Sequence, residues 1–132
     1  TLFQHRWVMG SSDGGIGMRL PRGAGTFPRV LGRYVRDQKW LSLEEAIRKM
    51  SSFPAWRLGL KDRGAIKAGM KADVIVFDAN QVIDRSTMTQ PNIEPVGVQS
   101  VLVNGEMVVA EGKVTGERSG AALRHSSSTK KK

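Results

Sequence analysis

Side chains able to do chemistry are few in this 132-residue sequence. Cysteine is absent, which removes a disulfide scaffold, a zinc finger and a thiol nucleophile, and leaves the redox compartment open. The two histidines, His5 and His125, stand some 120 residues apart, with no spacing that suggests a metal site. Both are expected to be exposed and incidental, and no residue of the chain is assigned as a metal ligand. What remains is carboxylate and guanidinium chemistry beside glycine-rich backbone. Asp13 lies in Ser12-Asp13-Gly14-Gly15, where an aspartate is also an ordinary turn former. Arg19 and Arg22 follow in a glycine-rich loop that runs to Gly25. Arg29, Arg33, Arg36 and Lys39, spaced i, i+4, i+7 and i+10, fall on one helical stripe, a pattern able to follow a phosphate backbone.

The formal charge of +9 and the sequence pI of about 10.5 raise the same partner. Its distribution argues against it. Residues 1–40 hold seven basic and two acidic side chains, residues 41–123 hold ten of each, and residues 124–132 hold four basic ones, giving +5, zero and +4. A nucleic-acid reader also needs interleaved aromatics, yet aromatic content is 6% and Tyr34 is on the side opposite the stripe. The stripe is therefore expected to be the solvent-facing edge of a helix, and a small basic nucleic-acid-binding protein is kept as the alternative. Hydrophobic content of 39% and charged content of 25% suit an ordered domain. No apolar run approaches the roughly 18–20 residues that span a bilayer, and the opening Thr1-Leu2-Phe3-Gln4-His5 has no signal-peptide pattern. The expectation is a cytoplasmic protein without a membrane partner, whose sequence opens in mid-chain.

These side chains need elements to position them. The short apolar run Trp7–Ser11, closed by Ser12-Asp13-Gly14-Gly15, predicts a buried strand running into a loop. After the loop, Thr26 as cap, Pro28 in the first turn and Val30, Leu31, Tyr34 and Val35 at helical spacing predict a helix to about Lys39. Ser42-Leu43-Glu44-Glu45 is a capping box, in which Ser42 takes a helical N–H and Glu45 reaches back to the Ser42 N–H. The helix it opens is expected to bury Leu43, Ala46, Ile47 and Met50. Phe53–Gly59 predicts another short helix with Gly59 as terminator, and Met50, Phe53 and Trp56 read as helix core. Beyond residue 60 the period becomes that of strands. Val74-Ile75-Val76-Phe77 and Val98–Val103 are strands, and Asn104-Gly105 turns the latter into Met107-Val108-Val109. Glu111-Gly112 marks another turn, residues 80–95 form a long connection, and the tail from His125 is polar low complexity. A lone leading strand needs neighbours, and the later strands already pair among themselves, so its neighbours are expected outside this chain.

Two matched segments carry a resemblance. Gly64-Ala65-Ile66-Lys67-Ala68-Gly69-Met70-Lys71-Ala72-Asp73-Val74-Ile75-Val76-Phe77-Asp78 resembles the C-terminal signature of the amidohydrolase superfamily, and Val101 to Val109 followed by Gly112 is similar to the hairpin that closes its small sandwich. Ser12-Asp13-Gly14 and Gly25-Thr26-Phe27-Pro28-Arg29-Val30-Leu31-Gly32 resemble the N-acyl-D-amino-acid deacylases within it. The resemblance implies an α/β fold: the C-terminal fragment of a metal-dependent (β/α)8 barrel, its last strand and helices, over residues 1–62. Strands of a small β-sandwich follow over 63–124, then a disordered basic tail over 125–132. It implies a zinc enzyme that hydrolyses the amide of N-acyl-D-amino acids, with the metal ligands on earlier barrel strands and none bound by this chain alone.

The resemblance also implies roles. Asp13 would be the catalytic carboxylate at the mouth of the barrel, moving a proton from attacking water to the leaving amine. Arg22, a few residues before Gly25-Thr26-Phe27-Pro28, is a candidate for holding the substrate's carboxylate because a guanidinium fork matches it bidentately, with a solvated loop arginine as the alternative. The partners implied are a small anionic N-acyl amino acid and the missing N-terminal barrel half. A structural role, docking onto a separate barrel chain, stays open beside the enzymatic one.

Overall fold

The computed structural model describes residues 1–15, 17 and 19–124. The chain is of mixed α/β composition, helices first and an antiparallel sheet after them. A short 3-10 turn over Leu2–Gln4 precedes α1 (Pro21–Arg29), which continues as a wider π-wound stretch over Val30–Asp37. Then come α2 (Leu43–Met50), α3 (Ser52–Arg57), β1 (Val74–Phe77), β2 (Val98–Val103), β3 (Glu106–Ala110) and β4 (Lys113–Val114).

The first helix differs from its expected bounds. It starts at Pro21, not Thr26, because Leu20 is extended and Pro21 brings a helical φ while lacking an N–H that would be orphaned at that position. Thr26 is therefore interior, and its hydroxyl donates to the Arg22 carbonyl at 2.8 Å. Pro28 is interior too. It has no N–H to offer the carbonyl four residues back, and the winding widens two residues later. Gly32 allows this helix to lie directly on the connection from the sheet: a Cβ there would stand 2.3 Å from the Val82 carbonyl oxygen and 2.6 Å from Ile83 Cδ1.

Further corrections concern which side chains are covered. The arginine stripe is a solvent edge only in part: Arg33 and Lys39 are exposed, whereas Arg29 and Arg36 are engaged within the chain. Arg29 donates to Asp84 at 3.0 and 2.6 Å, and Arg36 donates to the carbonyls of Asn80 and Val82 at 3.2 and 2.8 Å. The Asp84 hydrogen bond raises the Arg29 guanidinium above its ordinary pKa. On α2, Ala46 is buried and Ile47 lies exposed. Trp56 is 71% exposed, so it is no part of a helix core. Ser42 does cap α2, accepting from the Glu45 N–H at 3.2 Å. Glu45 does not reach back, because Arg48 one turn on takes its carboxylate at 2.7 and 2.8 Å. Gly59, at φ 71°, closes the segment after α3 as expected.

The sheet follows the order β1-β2-β3-β4, each neighbour antiparallel. Asn104 and Gly105 have φ of 51° and 91°, the double positive φ that a two-residue hairpin turn requires, and Val103 pairs with Glu106 across it. Glu111 and Gly112 repeat this at φ 50° and 76°, pairing Ala110 with Lys113. Expected and observed strands coincide here within a residue or two.

Val82, Val30, Ala46 and Ala55 are the buried apolar side chains among the described residues, few and small. Val82 lies on the connection that α1 covers. Large apolar side chains stay open on both regions, including Leu2, Trp7, Leu58, Ile66 and Ile75.

Candidate acid and guanidinium site

Residues 7–11 form no strand in the structure. The reason is the one the sequence suggests: a strand needs ladder partners, and among the described residues this segment has none. The Val8 N–H donates to the His5 carbonyl at 3.1 Å, and α2 supplies further partners to residues 5–10. The Arg48 guanidinium donates to the Arg6 carbonyl at 2.6 Å, and the Lys49 ammonium to the carbonyls of His5 and of Val8, the latter at 2.9 Å. The Gly10 N–H donates in turn to the Lys49 carbonyl at 3.0 Å.

The chain then turns at Asp13, whose φ of 49° is left-handed, a conformation aspartate tolerates better than most residues. The Asp13 N–H points to Ser11 Oγ at 3.4 Å and the Gly14 N–H to Ser12 Oγ at 3.1 Å, so the two serine hydroxyls shape the bend. Gly14 lies against the first turn of α1. A Cβ on it would stand 3.3 Å from Gly23 Cα, an approach that two glycines make possible.

This contact brings the two expected site residues together. Arg22, on the first turn of α1 and not in a loop, places Nη2 2.8 Å from Asp13 Oδ2. Both side chains are open to solvent, at 49% and 79%, so the pair itself adds little stability and the groups remain reachable by a ligand. An arginine in the first turn opposes the helix dipole, and the carboxylate beside it offsets that. Chemically the pair offers a proton acceptor with free lone pairs next to a planar cationic fork.

A hollow of about 400 Å³ lies beside this site, lined mainly by Phe3, Met9, Ser11, Val30, Tyr34 and Trp40. Ser11 borders it, whereas Asp13 and Arg22 stand outside. His5 is exposed and stacks on Trp7 at 5.5 Å; His125 and the basic tail over 125–132 lie outside the described residues. Among the described residues no three His, Asp or Glu side chains come together in a way that could hold a metal ion.

Two participants were not foreseen from sequence. Lys49 is fully buried behind the loop. Its signal was available: it follows Ala46 by three positions, on the covered face of α2. Asp84, with its side chain 6% exposed, had no local signal, since its partner Arg29 is 55 residues away. Glu45 completes the support. Arg48 holds its carboxyl down to about 2, so it stays ionised beside the Arg48 and Lys49 cations.

Residues 1–109 match the model of the amidohydrolase family. The chain is similar to an N-acyl-D-glutamate deacylase of Alcaligenes xylosoxydans xylosoxydans, 44% identical over 129 residues, which is 96% of this chain and 26% of the relative. It is also similar to a D-aminoacylase of the same organism, 46% identical over 78% of this chain and 21% of the relative. Among solved structures, an N-acyl-D-glutamate deacylase of Bordetella bronchiseptica in complex with zinc and a phosphonate inhibitor superposes with a TM-score of 0.74 at 40% identity. The match covers 86% of this chain and 25% of that one. A D-aminoacylase structure superposes at 0.70 and 43% identity, over 74% and 20%. The chain thus spans about a quarter of the length of the relatives it matches.

Proposed function

The chain belongs to the amidohydrolase family, and from that premise we propose that it forms part of a zinc-dependent enzyme that hydrolyses N-acyl-D-amino acids to a carboxylate and a free D-amino acid. Relatives named for N-acyl-D-glutamate and N-acyl-D-aspartate deacylation support the substrate class. Residues 1–62 would be the end of the catalytic barrel and 63–124 strands of its small sandwich. The rest of the barrel would cover the open apolar side chains of the helical region. A cytoplasmic location and a small anionic substrate belong to the same reading.

The observation that carries it is the meeting of Asp13 and Arg22 at 2.8 Å within the matched region. Asp13 takes the proton of the water that attacks the amide carbonyl, and returns it to the nitrogen as the C–N bond breaks. Arg22 pairs with the α-carboxylate of the substrate, which sets the amide at a fixed distance from Asp13. Among the described residues no three His, Asp or Glu side chains come together to hold zinc by themselves, and the donors for that metal would come from the barrel strands that precede these residues. Nucleic-acid binding is not favoured, because Arg29 and Arg36 are engaged within the chain.

The test is steady-state hydrolysis of N-acetyl-D-glutamate and its L enantiomer by the zinc-loaded enzyme that carries residues 1–132. Asp13→Asn is expected to lower kcat by about 10²–10⁴-fold, the usual worth of a positioned acid–base group. Arg22→Ala is expected to act mainly on KM. Near-normal turnover in Asp13→Asn rules out its role as the base.

A further inference from the structure

The loop that carries Asp13 is suspended between two anchors. On its far side Gly14 rests on Gly23 of α1. On its near side the chain from His5 to Gly10 has no strand ladder, and it is held by two side chains of α2: the part-exposed Arg48 on the Arg6 carbonyl, and the buried Lys49. Lys49 is 0% exposed, and its ammonium donates to the carbonyl oxygens of His5 and Val8 while Glu45 Oε1 lies 3.6 Å away. Two carbonyls accept from the ammonium group, and the carboxylate balances its charge. The backbone carbonyl of the same residue accepts from the Gly10 N–H at 3.0 Å. Both ends of Lys49 therefore grip the segment that enters the Asp13 loop, and only two residues separate Gly10 from Asp13, a reach of at most about 10 Å.

Resting on the function proposed above, we propose that Lys49 is a positioning residue for that reaction: it fixes where the Asp13 carboxylate stands by holding the backbone of residues 5–10. A methionine of similar length fills the same space but leaves the part-buried Val8 carbonyl without that donor and the His5 carbonyl with the Val8 N–H alone. The segment then loses its register against α2, and Asp13 moves with it. Misplacing a reacting group by about 1 Å costs on the order of 10²-fold in rate. Substrate binding through Arg22, which is held by α1 and not by this segment, is left in place.

The test is Lys49→Met in the zinc-loaded enzyme that carries residues 1–132, with amide hydrogen exchange measured on the same protein. The expected result is a kcat about 10- to 100-fold lower with KM within about threefold of the parent. Exchange at the Val8 and Gly10 amides is expected to be at least about tenfold faster, while the Asn104 and Thr115 amides of the sheet keep their protection. A kcat equal to the parent's in the folded variant overturns the proposal. So does a loss of protection that spreads equally through the sheet, since that marks a purely structural lysine. If the variant does not fold, the parent decides: scalar couplings across the hydrogen bonds from the Lys49 ammonium nitrogen to the His5 and Val8 carbonyl carbons support the anchor, and their absence overturns it. An unmodified enzyme without deacylase activity would count against the proposed function, whereas the exchange pattern still judges the anchor.

Discussion

The helical region and the sheet solve the same problem in different ways. Every backbone carbonyl and N–H that leaves water needs a partner. In the sheet, residues 74–114 supply partners from backbone to backbone, and two short turns set the register: Asn104-Gly105 and Glu111-Gly112 both take double positive φ. In residues 1–58 the segment before Asp13 has no ladder, and its carbonyls are met by the side chains of Arg48 and Lys49. The first arrangement is repeated and local. The second depends on individual long side chains arriving from about 40 residues away in sequence. A backbone ladder tolerates the loss of any one side chain, whereas a side-chain anchor does not. That difference places the candidate site on the more easily disturbed region.

The seam between the regions gives the largest test of this contrast. Gly32→Ala puts a methyl group into the Val82 carbonyl, and since that neighbour is backbone it cannot rotate away. Unfolding in urea is expected to show a loss of about 2–3 kcal/mol, the scale of overpacking, despite the better helix propensity of alanine. An unchanged midpoint would mean the two regions do not depend on this contact.

A smaller effect concerns pH. The Asn104 backbone N–H, donating at 2.8 Å, and the neighbouring Arg63 guanidinium hold the Asp73 carboxyl below its ordinary pKa, against the opposing effect of burial. A carboxyl whose pKa is lower in the folded state stabilises the fold above its unfolded pKa, near 4. That contribution fades as pH falls through the folded value. Denaturant midpoints measured from pH 6 downward should therefore fall more steeply in the parent than in Asp73→Asn. Parallel curves would show that the hairpin does not draw on this carboxylate.

The smallest expected change is a gain. Glu111 is exposed and holds φ at 50°, where a side chain costs roughly 1 kcal/mol and glycine costs little. Glu111→Gly is expected to raise stability by about 0.5–1 kcal/mol in thermal unfolding, with the sheet register unchanged. A loss of stability would show that the turn relies on the Glu111 side chain.

Sequence alone determined whatever is encoded within a few residues. Ser42 before α2, Gly59 after α3 and the two turns of the sheet act through local hydrogen bonds and φ, so they were legible. Of the candidate site, the Ser12-Asp13-Gly14 motif singled out Asp13, and guanidinium chemistry just before Gly25-Thr26-Phe27-Pro28 singled out Arg22. Tertiary structure alone decided their arrangement. Arg22 entered a helix because Pro21 starts one, and Gly14 against Gly23 brought it to Asp13. Trp7–Ser11, apolar enough for a strand, formed none, because pairing is a property of neighbours and not of the segment. Likewise Asp84 and Lys49 could not be assigned partners from spacing, since charges and carbonyls 41 to 55 residues apart meet only after packing has chosen which faces touch.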